Sequence, residues 1–145
     1  MKAFVAATLT LIAVATGASA ATADVAGSLK ANPKRVNFGT KAVGTFTVKG
    51  STITNTGTSD LLVQTSALRM PDQFSWGLLE GQTCPIFSPE ILPAGASCDI
   101  VAGFRPETFW IGQTDFAVLQ VTATDPATGA IVDAVTVEFR GVTRG

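Results

Sequence analysis

Cys84 and Cys98 are the residues whose chemistry is most constrained here, because the chain has no other cysteine and no histidine. Two thiols either form a disulfide, stay free, or supply half of a soft metal site. The last option needs more thiolate or imidazole ligands than this chain contains. Closing a loop of about 15 residues is worth on the order of 3 kcal/mol by chain entropy. A disulfide is therefore the expected state in an oxidising compartment. The rest of the inventory points away from catalysis. Without histidine the commonest general base and the usual triad are missing, and tyrosine is absent too. Ser88 and Ser97 lack nucleophile-elbow glycines and read as loop and turn residues. The acids, among them Asp72, Glu80, Glu90, Asp99, Asp125, Asp133 and Glu138, are scattered. Glu107 and Asp115 are a pair that a hairpin would bring face to face, and they read as exposed strand-end carboxylates. No Asp-rich calcium loop or glycine-rich phosphate loop occurs. The expectation is a protein that is not an enzyme, with no catalytic residue, cofactor or metal.

The compartment follows from the N-terminus. Met1-Lys2 precedes an apolar run over 3–15, and Ala18-Ser19-Ala20 closes it. One positive charge, a short apolar core and an Ala-x-Ala end describe a secretory signal peptide, residues 1–20. An uncleaved anchor is the alternative, but the run is shorter than the roughly 20 residues that span a bilayer. No later segment is apolar enough to anchor the mature chain. The whole chain carries 10 basic and 11 acidic residues. Removing Lys2 leaves 9 against 11, a net charge of −2. With no basic cluster in the sequence, nucleic acid and anionic lipid are not expected partners. The expected location is secreted or periplasmic.

The remaining chain must position its residues with strands. Residues 21–27 are small and polar and read as a flexible leader, and 28–145 as one domain. Cys98, Ile100, Ala102 and Phe104 alternate and share one face of a strand that opens at Pro93-Ala94-Gly95 and closes at Pro106. Val36 and Phe38 alternate, as do Phe74 and Trp76, and Val135, Val137 and Phe139. Further strands are expected over 45–55, 61–65 and 114–124. Phe46 and Val48 have the opposite parity to Ile53, so the spacing predicts a slip near Lys49-Gly50, where a glycine marks a bulge. Residues 40–44, 55–60 and 125–129 read as turns, and 80–93 as irregular. No stretch after residue 20 keeps helical spacing over three turns. About seven short strands with Gly and Pro punctuation read as an all-β antiparallel sandwich, with a barrel as the alternative.

The wording of several stretches carries a resemblance. Asn32-Pro33, Val36-x-Phe38-Gly39, Val43-Gly44, Ile53-x-Asn55-Thr56-Gly57-Thr58, the run from Leu92 to Pro106, and Gly141 recur in that order. From about Ser28 to Gly141 the chain resembles the immunoglobulin-like ASPM/SPD-2/hydin domain, also called choice-of-anchor D and related to major sperm protein folds. The resemblance implies an immunoglobulin-like fold whose shared positions are structural. Asn55 would bond nearby backbone, and Gly57 would tolerate a positive φ. The chain departs from the pattern at Glu107-Thr108-Phe109-Trp110-Ile111, where the family has a shorter polar hairpin, and in a long segment over 70–89.

Those departures hold the candidate contact residues. Phe109, Trp110 and Ile111 lie in a hairpin connection, and Trp76 flanks a loop-rich region. Aromatics exposed at a turn mark contact sites, unless they fold back to cap the sandwich. The leading expectation is a non-enzymatic interaction or structural module that contacts a protein of the cell envelope or exterior. An edge strand and the aromatic patch would make that contact. Two alternatives stand beside it: a carbohydrate-binding module that stacks glycan rings on Trp76 and Trp110, and a periplasmic assembly or pilus-like subunit.

Overall fold

A computed structural model describes residues 28–145; the expected signal peptide and leader lie outside the described residues. Alternation dictates the strands. In β8 (Thr114–Thr124), Asp115, Ala117, Leu119, Val121 and Ala123 are buried, and the residues between them face outward. In β7 (Ser97–Phe104), Cys98, Ile100, Ala102 and Phe104 point inward with almost no exposure. Seven further strands are β1 (Leu29–Asn32), β2 (Arg35–Ala42), β3 (Thr47–Asn55), β4 (Leu61–Arg69), β5 (Phe74–Trp76), β6 (Glu90–Leu92) and β9 (Ile131–Arg144).

They form two sheets, one ordered β1-β3-β7-β5 and the other β2-β9-β8-β4-β6. The inward faces meet in one apolar core, and no α-helix occurs among the described residues. The all-β sandwich is as expected, with nine strands among the described residues rather than about seven. Most pairs are antiparallel, but β2 runs parallel to β9. The chain leaves the first sheet after β1 and joins the second as β2, passing through a cis Asn32–Pro33 bond.

An aromatic cluster lies within the core. Phe38 sits 5.4 Å from Phe104 and 6.4 Å from Phe139, and Phe74 stacks on Phe104 at 4.8 Å. Each such pair adds about 0.5–1.5 kcal/mol beyond the area it buries. Gly141 makes room for this cluster: a β-carbon there would lie 2.5 Å from Cε2 of Phe104.

Several local expectations change. The β3–β7 ladder is regular from Thr47 to Thr54, so no bulge occurs at Gly50. Phe46 and Val48 instead point outward, and Gly50 leaves space that the Val101 side chain occupies. Register shifts fall at Asn37/Gly39, Ala67/Arg69 and Ala123/Thr124. Thr40 to Ala42 extend β2 rather than turn the chain. Gly57 is not at positive φ; its N–H donates to Asn55 Oδ1 at 3.0 Å. Asn55 itself is fully buried and donates to the carbonyls of Ser59 and Leu92, as its type suggested.

The segment between β5 and β6 straps one side of the sandwich. Where β5 ends, the strap supplies the missing partners of β7. Gln82 Oε1 accepts from Val101 N–H at 3.0 Å, Thr83 Oγ1 accepts from Asp99 N–H at 2.7 Å, and the Asp99 carbonyl accepts from Thr83 and Cys84. Cys84 and Cys98 are joined as a disulfide that pins this strap to β7.

Candidate interaction site

The aromatic insertion forms a short 3-10 turn, Thr108–Trp110, between β7 and β8. Its local folding follows from the sequence. Pro106 ends the ladder of β7, and Gly112, at φ +82°, turns the chain into β8, a conformation that a side chain resists. Trp110 N–H donates to the Glu107 carbonyl at 3.0 Å and closes the turn.

A buried polar network fixes the base of this turn. Gln73 is buried, and its Oε1 accepts from the Glu107 N–H at 2.8 Å and from Thr143 Oγ1 at 2.9 Å. Gly112 N–H donates to the Thr143 carbonyl at 2.7 Å, and Ile111 bridges to Thr143 beside it. Gln73 Nε2 faces Asp115 at 3.5 Å, and Arg69 Nη2 lies 3.3 Å from the other oxygen of the same carboxylate. Asp115 is therefore a buried ion-pair member, not the exposed strand-end acid expected, and its nearest polar partners are not Glu107. A buried carboxylate needs such partners, since leaving it bare is strongly unfavourable.

On this fixed base the side chains divide. Phe109 is 91% exposed and Ile111 47%, whereas Trp110 is half-buried. Trp76 is half-buried too, but it packs against the core from β5, opposite Ala102. The structure brings Phe109, Trp110 and Ile111 together and leaves Trp76 apart as a core-flanking residue. Val43 adds apolar surface at the same end, where its N–H bonds the Arg144 carbonyl and Gly44 bonds Pro106. Gln73 and Thr143 were not legible as site residues. A glutamine between a proline turn and a strand gives no signal that it will be buried.

The outermost strands offer little to an incoming strand, whereas residues 47–51 of β3 run past β1 and are paired only with β7. β5 and β6 have three residues each and β1 has four. The longer edge strand β2 is guarded: Asn37 Oδ1 accepts from Gly39 N–H at 2.8 Å, and Lys49 Nζ donates to the Asn37 carbonyl at 3.1 Å. Short edges and an edge-covering lysine are common defences against strand addition. The last strand, β9, is paired on both sides, by β2 and β8.

No group of three or more metal-ligating side chains occurs among the described residues. No helix among them is long and apolar enough to cross a membrane.

Comparison with known proteins sets this architecture in context. No family model and no curated protein matches the sequence. Solved structures do match. The ASH / PapD-like domain 7 of human CEP192 superposes with a TM-score of 0.60 at 15% identity, covering 81% of this chain and 86% of that domain. The fold is that of the ASH and PapD-like immunoglobulin-like domains. The YadV chaperone matches with a TM-score of 0.55 at 14% identity over 81% of this chain. SSP-19, an MSP-domain protein-like family member of Caenorhabditis elegans, matches at 0.50 and 12% identity, over 78% of this chain and 98% of that one. This chain spans about half the length of the chaperone, 53%. The resemblance read from Phe38-Gly39 and from the run between Leu92 and Pro106 thus has its counterpart in three dimensions.

Proposed function

We propose that this protein is a non-enzymatic interaction module of the cell envelope or exterior, and that the turn carrying Phe109 is its contact point. One observation carries the reading: the fold holds a nearly bare phenyl ring in solvent on a base fixed by buried hydrogen bonds. Aromatic side chains, phenylalanine among them, are enriched at the cores of protein interfaces. Trp110 and Ile111 flank it and enlarge the apolar tip, and Trp76 has no part in it. The short outermost strands and the guarded β2 edge favour contact through the tip over strand addition, and a β9 paired on both sides favours a domain that supplies this strand itself over a pilin-like subunit.

Substitution tests the reading. Phe109→Ala should abolish retention of the partner from an envelope extract and leave the melting temperature within about 2 °C, because an exposed side chain contributes within about ±0.5 kcal/mol to folding. Trp110→Ala should weaken retention with a small loss of stability. Unchanged retention in both variants would refute the tip as the contact point.

A further inference from the structure

The outer face of the five-stranded sheet carries a second feature, on strands β2, β8 and β9. Lys34, Arg35, Val118, Thr136 and Glu138 enclose an open depression of about 510 Å3. Its geometry follows from strand pairing. Val118, Glu138 and Arg35 stand opposite one another on three adjacent strands, β8, β9 and β2. Thr136 and Arg140 lie two residues either side of Glu138, so all three share its face.

The charges are unequal. Two cations, Lys34 and Arg35, line the depression with one carboxylate, Glu138, which Arg140 also pairs, in a chain whose net charge is −1. Glu138 Oε2 accepts from Arg140 Nη2 at 3.0 Å, and Arg35 Nε forms an ion pair with Glu138 Oε1 at 2.8 Å. The Arg140 hydrogen bond, chiefly, holds its pKa below the usual glutamate value, so it stays an acceptor. A guanidinium has five N–H donors. Arg35 pairs with Glu138 by charge through its Nε, and its side chain is 68% exposed. Lys34 stands exposed beside it.

The surplus of cations calls for an anion. The same wall, however, holds the partly buried Glu138 carboxylate, whose Oε1 is buried and which can only accept hydrogen bonds, and the Thr136 hydroxyl. A ligand bearing acceptors alone, such as a phosphate, meets Glu138 with repulsion. A ligand with a carboxylate, several hydroxyls and one apolar ring face satisfies every group. We propose that this depression binds a uronate unit of an acidic polysaccharide. Its carboxylate faces Lys34 and Arg35, its hydroxyls face Glu138 and Thr136, and its C–H face lies on Val118.

Calorimetric titration of the purified protein with tetragalacturonate tests this, with neutral tetragalactose and poly-glutamate as comparison probes. The expected result is saturable tetragalacturonate binding, at least tenfold tighter than either comparison. A Lys34→Ala/Arg35→Gln variant should weaken it at least tenfold, and Thr136→Val severalfold. Arg105→Gln, which removes a cation stacked on Phe46 elsewhere, should leave it unchanged. The first two variants change exposed side chains, and a retained melting transition confirms their folding. No saturable binding, equal binding of poly-glutamate, or insensitivity to both depression variants would overturn the proposal. Equal binding of poly-glutamate would identify an acidic peptide as the occupant instead.

Discussion

Gly141 shows how tightly single residues are specified in this core. Alanine there would force the Phe104 ring to move, because a β-carbon would approach its Cε2, Cζ and Cδ2 at 2.5, 2.7 and 2.8 Å. Overpacking of this kind typically destabilises by about 1–3 kcal/mol. Gly141→Ala should lower the urea midpoint accordingly, and an unchanged midpoint would mean the cluster has slack. At this scale the sequence was informative where type and environment agree. Phe38, Ile100 and Phe104 alternate, and all are buried. It misled where parity alone was read. Phe46 and Val48 looked like the inward phase of a slipped strand, yet they face outward, with Phe46 lying over Gly103 and beneath Arg105. Asp115 looked like an exposed acid because nothing nearby in sequence supplies a cation; its partner Arg69 comes from another strand. Gln73 is the same case, since its partners Glu107 and Thr143 are distant in the chain.

The long strap between β5 and β6 is the element whose position depends most on covalent chemistry. The two cysteines were legible as a pair from their number and the inferred compartment. What the strap does was not, because it covers β7 with the side chains of Gln82 and Thr83 in place of a regular ladder. For the same reason β6 was missed: Glu90 to Leu92 are three residues between two prolines, too few to show alternation. The disulfide is expected to contribute about 3 kcal/mol by restricting the unfolded chain. A Cys84→Ala/Cys98→Ala variant should lose roughly that amount in urea denaturation. It should also exchange the amide protons of Asp99 and Val101 faster. Unchanged exchange would show that the hydrogen bonds of Gln82 and Thr83 hold the strap unaided. The aromatic turn was legible as an insertion of Phe109, Trp110 and Ile111, but which ring would be free was not, since burial depends on the Gln73 network beneath.

At the level of the whole molecule, two sheets enclose one core, the outermost strands are short or guarded, and one end presents a bare ring. The fold class was legible because strand alternation and turn residues agree along the chain. The parallel β2–β9 pairing was not, because it joins strands far apart in sequence. The central claim is that a partner docks on the tip at Phe109. Its most direct test places a photo-reactive benzoylphenylalanine at position 109 in the protein expressed in its own host, with Thr122 on the outer sheet face as control. A discrete cross-linked adduct is expected from position 109 and none from 122. Adducts of equal yield at both positions, or none at 109, would contradict it.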